Sequence, residues 1–84
     1  MASVEVKLFA TLRREAGEKG YATEASDLGE VLRELALRYS PGFREQLKKA
    51  TVLVNGRNAV LLKGKRTRLK DGDVVSLFPP MAGG

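Results

Sequence analysis

Residues 4–10 alternate with period two, placing Val4, Val6 and Leu8 on one face and Glu5, Lys7 and Phe9 on the other. The pattern predicts a half-buried strand, on which Phe9 is an aromatic ring on an otherwise charged face. Residues 11–20 are polar, carry Gly17 and Gly20 as breakers, and read as a loop from which Leu12 folds back to the core. Residues 21–25 have weak strand character and pair with the first strand as a hairpin. Asp27 opens a helix, with Glu30 three residues on in a capping-box arrangement. Leu28, Val31, Leu32, Leu35 and Tyr39 form its apolar stripe. Glu34 and Arg38 are spaced for an i,i+4 ion pair, and Leu37 falls opposite the stripe with no core role. Ser40-Pro41-Gly42 ends this helix, and Phe43 and Leu47 suggest a short further helical turn. A strand over 51–54 runs into Asn55-Gly56, the strongest short turn signal in the chain. Residues 59–62 read as another short strand, 63–68 as a basic loop or edge, and Asp71-Gly72-Asp73 as a turn. The last strand covers 74–78, with Val75 and Leu77 facing the core and Val74, Ser76 and Phe78 facing outward.

A hairpin, a helix and then several strands ending on an apolar one give an α+β fold. The arrangement expected is the β-grasp: a mixed sheet of four to five strands packed on one main helix, with the first and last strands central and parallel. Residues 1–78 form this domain and 79–84 an extended tail. In that geometry Phe9 and Phe78 lie near each other on the exposed sheet face, with Leu53 extending the patch. A contiguous exposed apolar patch of this kind marks a binding surface.

Composition narrows the chemistry. Eighty-four residues make one small domain. The absence of Cys excludes disulfides and thiolate chemistry, and the absence of His removes the commonest general base and metal ligand. Met1-Ala2-Ser3 runs directly into a strand pattern rather than a signal peptide, and no apolar run reaches membrane-spanning length. The expectation is a soluble cytoplasmic protein that does not engage a membrane. The net charge of +5 admits an acidic partner or nucleic acid. Its densest source is Lys63, Lys65, Arg66, Arg68 and Lys70, where no aromatic residue is interleaved as a stacking platform. That argues against nucleic acid and for a solvated edge or an acidic partner. The Asp71/Asp73 pair lacks the further ligands of a calcium site, and no metal site is expected.

The sequence closes Phe78-Pro79-Pro80-Met81-Ala82-Gly83-Gly84. Pro79 and Pro80 cannot continue a central strand, so the chain leaves the body there. Six residues beyond Phe78 reach about 20 Å when extended. Gly83 and Gly84 have no side chains, so the tip fits a channel too narrow for other residues, and the Gly84 carboxylate becomes the plausible reactive group.

The runs Lys7-Leu8-Phe9-Ala10-Thr11-Leu12-Arg13 and Val54-Asn55-Gly56, with the closing stretch from Leu69 through Asp71-Gly72-Asp73 and Phe78-Pro79-Pro80 to Gly83-Gly84, resemble the ubiquitin-like sulfur carriers. Within them the resemblance is greatest to the small subunit of molybdopterin synthase, the MoaD type. It implies that the chain is not an enzyme on its own and binds no cofactor. An E1-like adenylating enzyme uses ATP and Mg²⁺ to convert the Gly84 carboxylate to an acyl-adenylate. A sulfur donor then leaves a thiocarboxylate there, and the tail inserts into the molybdopterin synthase large subunit to sulfurate the pyranopterin precursor of the molybdenum or tungsten cofactor. By the same resemblance Pro79, Pro80, Met81, Ala82 and Gly83 thread the partner's channel, while Phe9 and Phe78 are the docking anchors. The alternative is a ubiquitin-like protein modifier joined to lysines through Gly84, or a sulfur carrier for tRNA thiolation or thiamine. Archaeal and bacterial ubiquitin-like modifiers share the tail closely, whereas thiamine-pathway carriers usually lack the Phe-Pro-Pro.

Overall fold

The computed structural model describes residues 1–80. Strand β1 (Ala2–Leu8) leads into helix α1 (Ala10–Ala16), and β2 (Gly20–Ala25) returns antiparallel to β1. Helices α2 (Leu28–Arg38) and α3 (Pro41–Leu47) follow, then β3 (Thr51–Val54), β4 (Arg57–Asn58), two 3₁₀ turns (Ala59–Leu61 and Gly64–Arg66) and β5 (Val74–Phe78). The sheet order is β2-β1-β5-β3-β4, with β5 parallel to β1 and antiparallel to β3. This is the β-grasp arrangement that the pattern predicts. No helix among the described residues is long and apolar enough to cross a membrane.

Period two in β1 and β5 decides which side of the sheet is covered. Ala2, Val4, Val6 and Leu8 point inward with Val75 and Leu77, against Leu28, Val31 and Leu35 of α2. Phe43 of α3 and Leu12 of α1 are fully buried in the same core. The capping box forms, since Asp27 Oδ1 accepts from the Glu30 N–H at 3.0 Å and the Glu30 carboxylate accepts from the Ser26 N–H. Ser40 caps α3 through the Phe43 N–H at 3.2 Å, with Pro41 in the first turn. Leu37 is exposed, as its position opposite the stripe requires.

Three expectations are corrected. Residues 11–20 are not a loop throughout: α1 occupies Ala10–Ala16. One buried leucine in seven residues leaves no readable stripe, and the helix is fixed instead by the seating of Leu12 and by Gly17, which ends it at φ 78 with its N–H on the Arg13 carbonyl. Residues 59–62 are not a strand. Asn58 accepts from the Val60 N–H at 2.9 Å and bends the chain into a 3₁₀ turn, so the strand paired with β3 is the shorter β4. Glu34 and Arg38 do not pair. Arg38 Nε lies 3.4 Å from Glu18, and Glu34 accepts from the Thr23 hydroxyl at 3.0 Å. Arg38 also lies 3.9 Å from the centre of the Tyr21 ring, and the Tyr39 hydroxyl donates to Glu18. The β2 edge, the end of α2 and the loop before β2 are thus braced together. In this brace the Tyr39 hydrogen bond lowers the Glu18 pKa below the ordinary carboxylate value, and burial pushes the Tyr39 phenol up to about 12.

Candidate docking face and tail root

The site is assembled by turns at the far end of the sheet. Asn55 (φ 52) and Gly56 (φ 82) both take left-handed backbone, the geometry of a two-residue hairpin joining β3 to β4. The Asn55 side chain then reaches across to β5. Its Nδ2 donates to Asp73 Oδ1 at 2.9 Å and its Oδ1 accepts from the Val74 N–H at 2.9 Å. Asp73 Oδ2 accepts from the Lys70 N–H at 2.8 Å, and Asp71 Oδ1 accepts from the Ser3 N–H at 2.8 Å. The Asp-Gly-Asp turn therefore ties β5 to both neighbours at once, through Ser3 near the start of β1 and Asn55 after β3. Both carboxylates are committed to this clamp. With the register fixed so that Glu5 faces Val74 and Lys7 faces Ser76, the residue after β1 and the last residue of β5 come out side by side.

Phe9 and Phe78 are those residues. Their rings stack with centroids 4.4 Å apart and planes 8° from parallel. The Phe9 N–H donates to the Leu77 carbonyl at 3.1 Å, and the Phe9 carbonyl accepts from the N–H groups of Leu12 and Arg13 at the start of α1. Ala10 turns the chain there with φ 52, a left-handed conformation unusual for a residue with a Cβ. The strained corner swings the main chain out of the sheet while the Phe9 ring stays over Phe78.

Both rings are partly exposed, as are Val74, Ser76 and Leu53 on the same open face. Leu53 faces Ser76 across the β3–β5 pair, so it lies on the same open face as the stack, as expected. On the other side a shallow groove of about 440 Å³ runs past Phe9 along β1 and β2, with Lys7, Arg13 and Lys19 on its walls. The face thus has an apolar centre and basic groups beside it. Pro79, partly buried, and Pro80, exposed, continue from Phe78 as the root of the tail. Met81, Ala82, Gly83 and Gly84 lie outside the described residues. The structure therefore brings Phe9, Phe78 and Pro79 to one place, while the expected reactive group, the Gly84 carboxylate, lies outside the described residues.

What sequence reasoning missed is how the stack is held. The Asp-Gly-Asp motif reads only as a turn, because its partners Ser3 and Asn55 are 68 and 18 residues away from the aspartates they bond. Ala10 carries no signal at all, since alanine is ordinary in sequence and unusual only in this conformation.

Comparison with known proteins places these features in a family. A sequence model of the ThiS family matches residues 6–84. Small archaeal modifier protein 3 of Haloferax volcanii is 41% identical over 91 aligned positions, spanning 96% of this chain and 98% of that protein. The solution structure of small archaeal modifier protein 1 from Methanosarcina acetivorans superposes with a TM-score of 0.83 at 33% identity, covering 100% of this chain and 98% of that one. A complex of subunits 1 and 2 of molybdopterin-converting factor from Helicobacter pylori contains a chain with a TM-score of 0.70 at 33% identity, covering 98% and 99%. On this sequence match and this fold, the chain belongs to the ThiS family, as a small ubiquitin-like protein of the sulfur carrier and modifier class.

Proposed function

We propose that this chain is a ubiquitin-like modifier of the small archaeal modifier type, whose Gly84 carboxylate is activated and joined to lysine amines of target proteins. The observation that carries this reading is the 41% identity to small archaeal modifier protein 3 along nearly the full length of both chains. The stacked Phe9–Phe78 pair at the root of the tail fits the activation step that this reading shares with sulfur delivery, because an activating enzyme must hold the body while it reaches the tip.

The chemistry is assigned to partners. The Gly84 carboxylate oxygen attacks the α-phosphorus of ATP on an E1-like enzyme with Mg²⁺, forming the acyl-adenylate and releasing pyrophosphate. A lysine ε-amine then attacks the acyl carbon, AMP leaves, and the amine proton passes to a base of the partner. When a sulfur donor displaces AMP instead, the product is a Gly84 thiocarboxylate. This chain would supply the acyl group and the docking anchors Phe9 and Phe78, with the tail from Pro79 onward spanning the partner's channel. It would bind no cofactor and perform no catalysis of its own in a reducing, cytoplasmic setting.

A second reading keeps the chain as the sulfur-carrying subunit of molybdopterin synthase. It is favoured by the 33% identity to a chain of the Helicobacter pylori complex. Mass spectrometry of the N-terminally tagged chain from its native cells separates the two. Gly84 linked to lysines of other proteins supports the modifier. A free chain with one oxygen replaced by sulfur, co-purifying with a larger subunit and never found on lysine, overturns it in favour of the synthase. A variant with one residue added beyond Gly84 is expected to lose both products.

A further inference from the structure

The net charge of the protein is confined to one stretch. Between residues 57 and 70 lie six basic side chains and no acidic one. The other nine basic residues face all ten acidic ones, which leaves the remainder of the chain at −1. Arg57, Lys63, Lys65, Arg66, Arg68 and Lys70 take no part in the ion pairs found among the described residues, Arg38–Glu18 and Lys48–Glu45. Inside this stretch the 3₁₀ turn lifts Val60 and Leu61 into solvent, at 83% and 82% exposure. Two adjacent aliphatic side chains held out in the middle of the basic segment are not explained by the core.

A groove begins beside them. One section of about 210 Å³ is lined by Val60, Ala59 and Gly64 together with Leu32, Ala50, Val52 and Lys65. The last four also line a larger section of about 880 Å³, which continues between α2 and α3 past Leu47. Leu32, Leu47, Ala50 and Val52 are only partly buried, so they give the groove an apolar floor. Arg33, Arg44, Lys48 and Lys65 stand on its rim. Asp27 and Glu30 lie at one end, but the capping box of α2 occupies both. Val52 pairs with the core residue Leu77, so the groove opens on the helix side of the sheet, opposite the Phe9–Phe78 stack.

We propose that this groove, with Val60, Leu61 and the basic segment at its mouth, is a second docking site that takes an acidic segment of a partner protein carrying aliphatic side chains. The charge selects the acid: carboxylates meet Lys63 and Lys65, and no acidic residue of the 57–70 stretch repels them. The floor selects the aliphatic chain, which displaces water from Leu32 and Val52 and covers Val60. RNA is disfavoured because residues 57–70 contain no aromatic ring on which a base could stack. A lipid surface is disfavoured because the aliphatic floor is recessed and a three-residue turn is no amphipathic anchor. Because the groove lies on the opposite side of the sheet from the Phe9–Phe78 stack, the proposal stands whether or not Gly84 forms isopeptides.

The test is an amide-resolved NMR titration of the full chain with the acetylated, amidated peptide Glu-Leu-Asp-Leu-Glu-Asp. The comparison probes are the same peptide with serine for leucine, a uridylate dodecamer, and vesicles containing phosphatidylserine. The expected result is saturable shifts at residues 32, 52 and 57–66 with Phe9 and Phe78 unmoved, and weakening as salt rises. Both V60S/L61S and K63E/K65E, all at exposed positions, should weaken binding about fivefold or more. The proposal is overturned by no saturable shifts with the leucine peptide, by equal binding of the serine peptide, by tighter binding of RNA or vesicles, or by shifts centred on the Phe9–Phe78 face.

Discussion

Replacing Phe78 by alanine separates what the aromatic stack does for the fold from what it does for docking. The ring is partly exposed at the end of β5, so its loss should destabilise near the lower end of the phenylalanine-to-alanine range, about 3 kcal/mol. A domain of ordinary stability, about 5–15 kcal/mol, remains folded after that loss. The stack itself, at 4.4 Å and 8°, should contribute about 0.5–1.5 kcal/mol beyond area burial. Urea unfolding of F9A, F78A and the double variant isolates it, because the double should be less destabilised than the sum of the singles by that amount. Docking adds a separate loss. A partner that covers the exposed remainder of one ring, about 50 Å² at about 25 cal/mol/Å², gains about 1.3 kcal/mol, or about tenfold in affinity. Calorimetric titration against the activating enzyme reads this directly, at a temperature where circular dichroism shows F78A folded. A coupling below about 0.3 kcal/mol would refute the energetic role of the stack. An unchanged Kd for folded F78A would refute the docking role of the face.

Other outcomes follow from single positions. Ala10→Gly relieves a left-handed alanine, and after the entropy that glycine loses on folding it should stabilise by about 0.5 kcal/mol or more; a drop in urea midpoint would show that the corner is not strained. Gly20→Ala should destabilise by more than about 2 kcal/mol, because at φ 151 its Cβ would overlap the Val6 carbonyl; an unchanged melting temperature would contradict that packing. The Tyr39 phenol is raised from 10.0 to about 12, so folding favours its protonated form. Its contribution is complete below pH 10 and is lost as pH rises toward 12. Melting temperature should fall over that window, and Tyr39→Phe should make the fall shallower; equal slopes would rule out the Tyr39 term.

The parts of this fold legible in the sequence are those where burial imposes a period. β1 and β5 alternate because one face of each meets the core, and α2 carries a stripe because it lies across the sheet. The neighbouring placement of Phe9 and Phe78 was readable for the same reason, since parallel central strands with one inward set bring their outward ends together. Where a segment is held by contacts distant in sequence, the period disappears. α1 buries Leu12 alone among its side chains and is ended by Gly17. The bend at residues 59–61 depends on one side-chain acceptor, Asn58. Arg38 takes Glu18, twenty residues away, in preference to Glu34 one turn back, because the Tyr21 ring and the Tyr39 hydroxyl already surround that position.

The meeting of Phe9 and Phe78 at the tail root was legible, and a decision between outcomes at Gly84 was not, and the chemistry explains why. An acyl-adenylate at Gly84 is the same species whether an amine or a sulfur donor attacks it next. On the proposed reading the nucleophile belongs to the partner, so neither the tail nor the Phe9–Phe78 stack at its root encodes the choice. What this chain can encode is which partner approaches. The open face and the helix-side groove are separated by the thickness of the sheet, so one partner can grip the Phe9–Phe78 face while another reads the groove. If the K63E/K65E variant forms the adenylate normally but transfers to fewer targets, partner choice lies in the groove and activation in the stack. If adenylate formation falls with it, the basic segment serves the activating enzyme, and the two surfaces act as one.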